Sequence, residues 1–389
     1  MSTDSPAAYQ RIGRQRGVPD VVVEAALEQI RRVRAVNLTP VLSLKHLAHL
    51  TGASYIYLRE TVQRKRDPYV EFSRPKRAEG QLRTISAPDP PLMAVQRWIL
   101  QRIFSRLHPH SASYAYQAGR SARQCAEQHL GARWLLKFDL HSFFHSINER
   151  AVFGILAGQG YNRLVSFEIA RLCTRYAGHV RGLNFSKFRA TASWPHHFTI
   201  PSYSVPWLGF LPQGAPTSGA IANMTALQLD ELLSDVADRY GLVYTRYADD
   251  LTFSTVGRLA RSAARRCVGE VQAATAQAGF QLHQRKTRVV PPGSRKIVLG
   301  LLVDSDCVRL PADARSRLET HVRGVARFGL VAHAQHWKYN SLTGLIHRVD
   351  GLLAHARDVD PLWVAPLWRS WNDALEAQGF SDVEFRQWS

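Results

Sequence analysis

The stretch Tyr244-Thr245-Arg246-Tyr247-Ala248-Asp249-Asp250-Leu251-Thr252-Phe253-Ser254 constrains this chain more than any other. Apolar and β-prone residues flank a short acidic pair, a pattern that predicts a strand, a tight turn and a second strand. Both aspartates then fall at the tip of a hairpin. Two carboxylates held ~4 Å apart repel by about 4 kcal/mol at an effective dielectric of ~20. A fold keeps such a pair mainly when a cation or a proton sits between them. The alternative is a surface turn that merely happens to be acidic, and what precedes the hairpin decides between the two.

Leu135-Leu136-Lys137-Phe138-Asp139-Leu140 predicts an apolar strand ending in one aspartate, followed by His141-Ser142-Phe143-Phe144. An aspartate at the end of a buried strand is costly unless it is paired or bound to metal. With Asp249 it can form a site for two divalent cations ~3.5–4 Å apart, bridged by carboxylates and substrate phosphates. Phe144 either walls that pocket or belongs to the core. Further on, Leu211-Pro212-Gln213-Gly214-Ala215-Pro216-Thr217-Ser218-Gly219-Ala220 is a Gly/Pro-rich turn opening a helix to about Tyr240, which Gly241 ends. Gln213 offers a donor and an acceptor, and Gly214 and Ala215 leave room for a backbone or a base to approach.

The chain has 389 residues, enough for about two or three structural units. Its formal net charge of +19 makes nucleic acid the expected partner, with an anionic membrane as the competitor. The sequence holds no apolar run long enough to span a bilayer and no N-terminal signal pattern. Cys125, Cys173, Cys267 and Cys307 lie far apart with no Cys-x-x-Cys pair, which argues against a zinc site or a disulfide scaffold and fits a reducing cytoplasm.

Met1 to Ala8 reads as a frayed tail and residues 19–66 as two or three helical segments. Within them, residues 42–62 follow a helix-turn-helix pattern that suits either DNA reading or packing on a larger domain. Tyr69 to Ile85 predicts a hairpin with its turn at Ala78 to Gly80, Lys76 on one arm and Arg83 on the other, an arrangement suited to gripping a triphosphate. Gly119 marks a turn, after which Arg120 and the capping residue Ser121 open a helix. Gly178 to Gly209 is aromatic and aperiodic, and reads as a long insertion, partly β or irregular. Lys286 is either a general acid toward a leaving phosphate or a solvated lysine. After Leu310 the chain is helical and basic, through Arg323 and Arg327, as a clamp on a duplex would be.

In chain order these elements are the basic hairpin, Phe138-Asp139-Leu140 with Phe143-Phe144, Leu211 to Ser218, Tyr247-Ala248-Asp249-Asp250, Lys286-Thr287 and Leu299-Gly300-Leu301. The set resembles the bacterial reverse transcriptases, most closely the retron type, over roughly residues 69–304. The resemblance implies an α+β right-hand polymerase. Its parts would be an N-terminal helical region (1–68), fingers (69–137), a palm (138–304) with a finger insertion at about 148–210, and a helical thumb (305–389). It further implies that Asp139, Asp249 and Asp250 hold two Mg²⁺ ions, with Mn²⁺ as a substitute. Phe144 would be the gate against a ribose 2′-hydroxyl, Lys76 and Arg83 the cations for the triphosphate, and Gln213 and Ala215 part of the nucleotide pocket. The implied partners are dNTPs, a structured non-coding RNA serving as template and primer, the RNA–DNA hybrid product and an effector protein. Antiphage defence in the cytoplasm, away from membranes, would be the setting. The sequence departs from the retron pattern at Cys125, where Asn is usual, at Leu299, where Thr is usual, and at Gly219, where Pro is usual. Another defence-associated or group II-like reverse transcriptase is the near alternative. A non-catalytic helix-turn-helix nucleic-acid-binding protein is the alternative of another class.

Overall fold

The computed structural model describes residues 6–75, 82–180, 188–190 and 200–380. Four helices open the chain: Pro6–Gln15, Asp20–Ala35, Leu44–Thr51 and Tyr55–Val62. Helix therefore begins inside the segment expected to fray. Ser43 and Ser54 cap the third and fourth helices, accepting from the amides of His46 and Tyr57, and Gly52 at φ 69° ends the third. The inner face of this helical pair is internal: Leu44, Leu47, Leu58 and Val62 share one apolar core with Leu92, Ile99, Phe104 and Leu136. The apolar side of the pattern over 42–62 thus packs on the rest of the chain.

Strands β1 (Tyr69–Pro75) and β2 (Leu82–Pro88) pair antiparallel, with Arg74 opposite Arg83. The expected turn and Lys76 lie outside the described residues, as does the side chain of Arg83. Asp89 caps the next helix, Pro90–Arg102, by accepting from the Leu92 amide at 3.1 Å. Strand β3 (Trp134–Asp139) follows, and then helices Glu149–Gly158 and Arg163–Leu172. The short strands β4 (Arg175–Tyr176) and β5 (Gly209–Phe210) pair across the base of the aromatic insertion. Helices Ser218–Thr225 and Leu227–Tyr240 lead to β6 (Val243–Tyr247) and β7 (Asp250–Thr255). Helix Arg261–Gln277 comes next, then β8 (Arg288–Val290), β9 (Ile297–Val298) and β10 (Leu301–Leu302).

Strands β6, β7, β3 and β8 form one antiparallel sheet in that order. Alternation on β3 serves two cores. Leu136 and Phe138 join the large one. Leu135 joins a second, built by Val298, Leu301 and the helices Ala312–Phe328, Leu330–His336, Leu342–Val359 and Pro361–Glu376. Each face of the strand is therefore apolar, as a strand buried on both sides requires.

A buried ionic joint ties the opening helices to the centre. Arg64 Nη2 lies 2.5 Å from Glu149 Oε2 and donates to Thr174 Oγ1 at 2.8 Å, while Nη1 donates to the carbonyls of Arg171 and Thr174 at 2.9 and 2.7 Å. The Arg171 Nε stands 3.5 Å from the other Glu149 oxygen, and its Nη1 donates to the Val62 carbonyl at 2.8 Å. The Gly209 amide also donates to Glu149. A Cβ at Gly209 would fall 2.5 Å from both Arg64 Nη2 and Thr174 Oγ1, so the joint needs glycine there. Burial raises the pKa of Glu149, but the two guanidiniums and the amide outweigh it and hold the carboxyl below its usual range. Glu149→Gln keeps the shape and removes the charge between two buried arginines. The expected loss is about 3–5 kcal/mol of unfolding free energy, read as a lower urea midpoint; an unchanged midpoint would contradict this account of the joint.

Candidate active site

Strands β6 and β7 are joined by just Ala248 and Asp249, with Tyr247 opposite Asp250. Ala248 has φ 56°, a left-handed conformation that costs an L-residue roughly 1–2 kcal/mol. Arg246 holds it there. Its guanidinium is fully buried; Nη1 donates to the Ala248 carbonyl at 3.2 Å and to Asn223 Oδ1 at 3.0 Å. Nε and Nη2 form a two-point bond with Asp230 at 2.8 and 2.7 Å, and the Tyr244 hydroxyl donates to the same carboxylate at 2.8 Å. Asp230 sits on the buried face of helix Leu227–Tyr240 between Leu229 and Leu233. A planar guanidinium clamped by two points is the geometry best suited to fixing a turn.

The register of β3 against β7 sets Asp139 directly opposite Asp250, and the Leu140 amide donates to the Asp249 carbonyl at 2.9 Å. All three predicted aspartates therefore meet at one end of the sheet. Burial, and then the charge of Asp249, push the Asp250 carboxyl up from 3.8 to about 6; Asp139 adds to this, and Lys137 and Lys286 oppose it. Lys286 Nζ donates to Asp139 Oδ2 at 2.8 Å, and the His283 amide donates to the Asp139 carbonyl at 2.7 Å. The sequence left Lys286 between a chemical and a solvated role; its ammonium is bonded to the aspartate strand. Lys137, half-buried on β3, has its own pKa lowered by burial, with Asp250 acting against that.

Among the described residues, no three His, Cys, Asp or Glu side chains converge closely enough to hold a metal ion. Asp139 is neutralised by Lys286 instead. The donor chemistry fits a hard divalent cation all the same. The three side chains offer carboxylate oxygens only, and the raised Asp250 marks a place where added positive charge is favourable.

Phe144 follows Ser142, which is left-handed at φ 51°. Phe144 is half-buried against the buried Phe143, ring centroids 5.6 Å apart, and meets Tyr116 edge-on at 5.9 Å. Gln213 and Ala215 belong to a turn locked on the basic hairpin. The Ser86 amide of β2 donates to the Gln213 carbonyl at 2.7 Å. Gly214 has φ 119°, and a Cβ there would lie 2.6 Å from the Ile85 methyl. Ala215 is buried, and Ser218 Oγ closes the turn on the Pro212 carbonyl at 2.8 Å. The other predicted cations make different contacts. Arg120 lies over the Tyr114 ring at 4.5 Å and donates to the Ser111 carbonyl. Arg323 and Arg327 line a cavity of about 550 Å³ with Phe328, His336 and Trp337, between helices Ala312–Phe328 and Leu330–His336.

Sequence reasoning gave no role to three groups that hold the hairpin: Arg246, Asp230 and His129. The buried His129 ring sits 2.7 Å from Ser254 Oγ by Nδ1 and 2.7 Å from Thr245 Oγ1 by Nε2, joining β6 to β7 from below. Cys125 Sγ donates to the same threonine at 3.3 Å. Burial, and secondarily the Lys137 charge, push His129 down from 6.5 to about 4, so the ring is neutral. One signal for Asp230 was present: a carboxylate on the apolar face of a helix.

Residues 74–309 match the family model described as reverse transcriptase (RNA-dependent DNA polymerase), and the chain belongs to that family. Its architecture is accordingly that of an α+β right-hand polymerase. The retron Mx162 reverse transcriptase of Myxococcus xanthus is 37% identical over 310 residues, covering 75% of this chain and 60% of the relative. The retron Mx65 reverse transcriptase of the same organism is 35% identical over 301 residues, covering 75% and 62%. The retron Ec86 reverse transcriptase of Escherichia coli is 26% identical over 309 residues, covering 79% and 86%. The chain thus spans about 60% of the Mx162 relative and 62% of the Mx65 relative. No helix among the described residues is long and apolar enough to cross a membrane.

The neutral His129 gives a test of the hairpin brace. Its contribution is complete above 6.5, where unfolded histidine is also neutral. It is lost as pH falls from 6.5 toward 4, because the unfolded chain takes up a proton that the folded one refuses. His129→Gln should therefore be less stable than the parent at pH 8, and the gap should narrow as pH is lowered to 4. Thermal melts across that range check this; a gap independent of pH would mean that His129 takes up its proton in the fold as readily as in the unfolded chain.

Proposed function

We propose that this chain is an RNA-directed DNA polymerase that copies a cognate structured non-coding RNA into DNA. The observation that carries the reading is the register that sets Asp139 opposite Asp250 with Asp249 in the two-residue turn beside them. Asp139, Asp249 and Asp250 would hold two Mg²⁺ ions, or Mn²⁺ in their place, which when bound supply an activated primer hydroxyl and charge neutralisation at the pyrophosphate. The Phe144 ring takes the position of a wall against a 2′-hydroxyl. Gln213 and Ala215 would belong to the nucleotide pocket, and Lys76 and Arg83 would be the cations for the triphosphate. Lys286, oriented by its bond to Asp139, is the proton donor to the leaving group.

In this reading residues 1–68 form an N-terminal helical region and 69–137 the fingers. Residues 138–304 form the palm, with an insertion at about 148–210, and 305–389 the thumb. Arg120, Arg323 and Arg327 contact the nucleic acid, an RNA template-primer that becomes an RNA–DNA hybrid. The likeness to retron enzymes supports synthesis of a retron-type cDNA; we propose cytoplasmic antiphage defence with an effector protein as its setting. Sequencing the nucleic acid that co-purifies with the protein from its native locus tests this part. A short cDNA joined to one locus-encoded RNA is expected; unbranched cDNA would move the enzyme to another defence class.

The chemistry has its own test. Asp249→Asn should lower Mg²⁺-dependent dNTP incorporation on an RNA template by about 10³-fold or more, with no fall in the melting temperature. Retained incorporation would overturn the assignment.

A further inference from the structure

Tyr116 combines features that seldom coincide. It is a large aromatic residue, 56% exposed, at φ 58°, a conformation in which a bulky side chain is an outlier. Its ring is nevertheless held on two sides. One side meets Phe144 edge to face, with centroids 5.9 Å apart and planes at 70°. The other rests on Gly219 in helix Ser218–Thr225, where an added Cβ would fall 2.4 Å from the ring Cγ and 2.7 Å from Cδ1. Glycine is disfavoured inside a helix relative to alanine, yet here no other residue leaves room for the ring.

The backbone around Tyr116 is tied to the same elements that hold the aspartate turn. The Arg246 amide donates to the Ala112 carbonyl at 2.7 Å, and the Tyr114 amide donates to the Arg246 carbonyl at 2.8 Å. Asn223 Nδ2 donates to the Ala115 carbonyl at 2.7 Å, and Gln117 Nε2 to the Ser113 carbonyl at 2.8 Å. A strained residue whose neighbours are fixed by so many bonds, and whose ring meets Phe144, is the kind of outlier from which a functional constraint is inferred.

We propose that Tyr116, seated on Gly219, is a positioning residue that fixes the ring of Phe144 and thereby sets this chain's preference for deoxynucleotides over ribonucleotides. Phe144 has the buried Phe143 on one side and Tyr116 on the other. Phe144 also packs against the large core, but without Tyr116 it loses its edge-to-face partner and its ring can turn away from the sugar. The inference rests on the proposed role of Phe144 as the wall against the 2′-hydroxyl.

The experiment is steady-state incorporation of matched dNTPs and rNTPs on an RNA template with a DNA primer, for the parent and five variants. Phe144→Val sets the reference and should relax the dNTP/rNTP ratio of kcat/KM the most. Tyr116→Ala and Gly219→Ala, which remove and displace the same ring, should each relax it roughly three- to tenfold, the range an edge-to-face ring pair supports. The change should lie in a rise of rNTP efficiency. Tyr116→Phe should restore the preference, because the contact is made by the ring. Tyr116→Ala combined with Phe144→Val should add nothing to Phe144→Val alone. If Phe144→Val leaves the ratio unmoved, the wall reading fails and this inference with it. If Phe144→Val relaxes the ratio while Tyr116→Ala does not, the inference alone falls. It also falls if Tyr116→Ala lowers both efficiencies equally, the mark of a merely structural fault. Tyr116→Ala decides the matter should Gly219→Ala not fold.

Discussion

The pairing of β3 with β7 in a single register is the constraint on which the site depends. Side chains on a strand alternate, so a slip of one residue would carry Leu136 and Phe138 out of the large core and turn Leu135 away from the second. Two separate cores therefore vote for the same register. The apposition of Asp139 and Asp250 at the strand ends follows from that vote, at no further cost in specificity. The acidic site is unfavourable in itself, as the raised Asp250 shows. It is imposed by the apolar packing of Leu135, Leu136 and Phe138, within four residues of Asp139 on the same strand.

Ionic pairs occupy the joints of this fold, and in each the geometry matters more than the net attraction. The Arg246–Asp230 pair is wholly buried, where desolvation consumes much of the Coulombic gain. What it secures is the left-handed Ala248 carbonyl, hence the turn in which Asp249 stands. The Arg64–Glu149–Arg171 joint likewise fixes how the opening helices meet the helix that carries Arg171. Replacing either by apolar residues of similar volume could preserve stability while losing the position of a backbone. Tyr116 extends the same logic with rings: Asn223 bonds both Arg246 and the strap that presents Tyr116, so turn and strap are set by one amide.

How far the sequence could be read depended on how local each signal is. The hairpin of β6 and β7, the aspartate-ended β3, the Pro-Gln-Gly turn and the cap at Ser121 rest on neighbours within a few positions, and all were legible. Arg246 and Asp230 are 16 residues apart, and His129 reaches Ser254 across 125, so no pattern in the string joins them. Gly219 was noticed as a departure, but its partner Tyr116 is visible only when the ring is placed against it. The first helix, Pro6–Gln15, was missed because its start was read as a polar tail. The helix-turn-helix spacing was correct as geometry and silent about its use, since a helix pair that packs and one that reads DNA share the same apolar face.

The charge distribution connects these joints to the expected partner. The buried arginines Arg64, Arg171, Arg175 and Arg246 are matched by Glu149, Asp67, Glu71 and Asp230, four against four. These clusters are neutral as a set, so the +19 excess of the chain lies outside them and is available to a polyanion. The aspartate site runs the other way. Asp139, Asp249 and Asp250 face Lys137 and Lys286, three carboxylates against two ammonium groups, which leaves one net negative charge. A locally acidic point in a strongly basic protein draws cations inward while the surrounding surface draws phosphates. The proposed reaction, which would bring metal, nucleotide and template to one place, calls for both fields at once, and here the sheet register supplies the first and the composition of the surface the second.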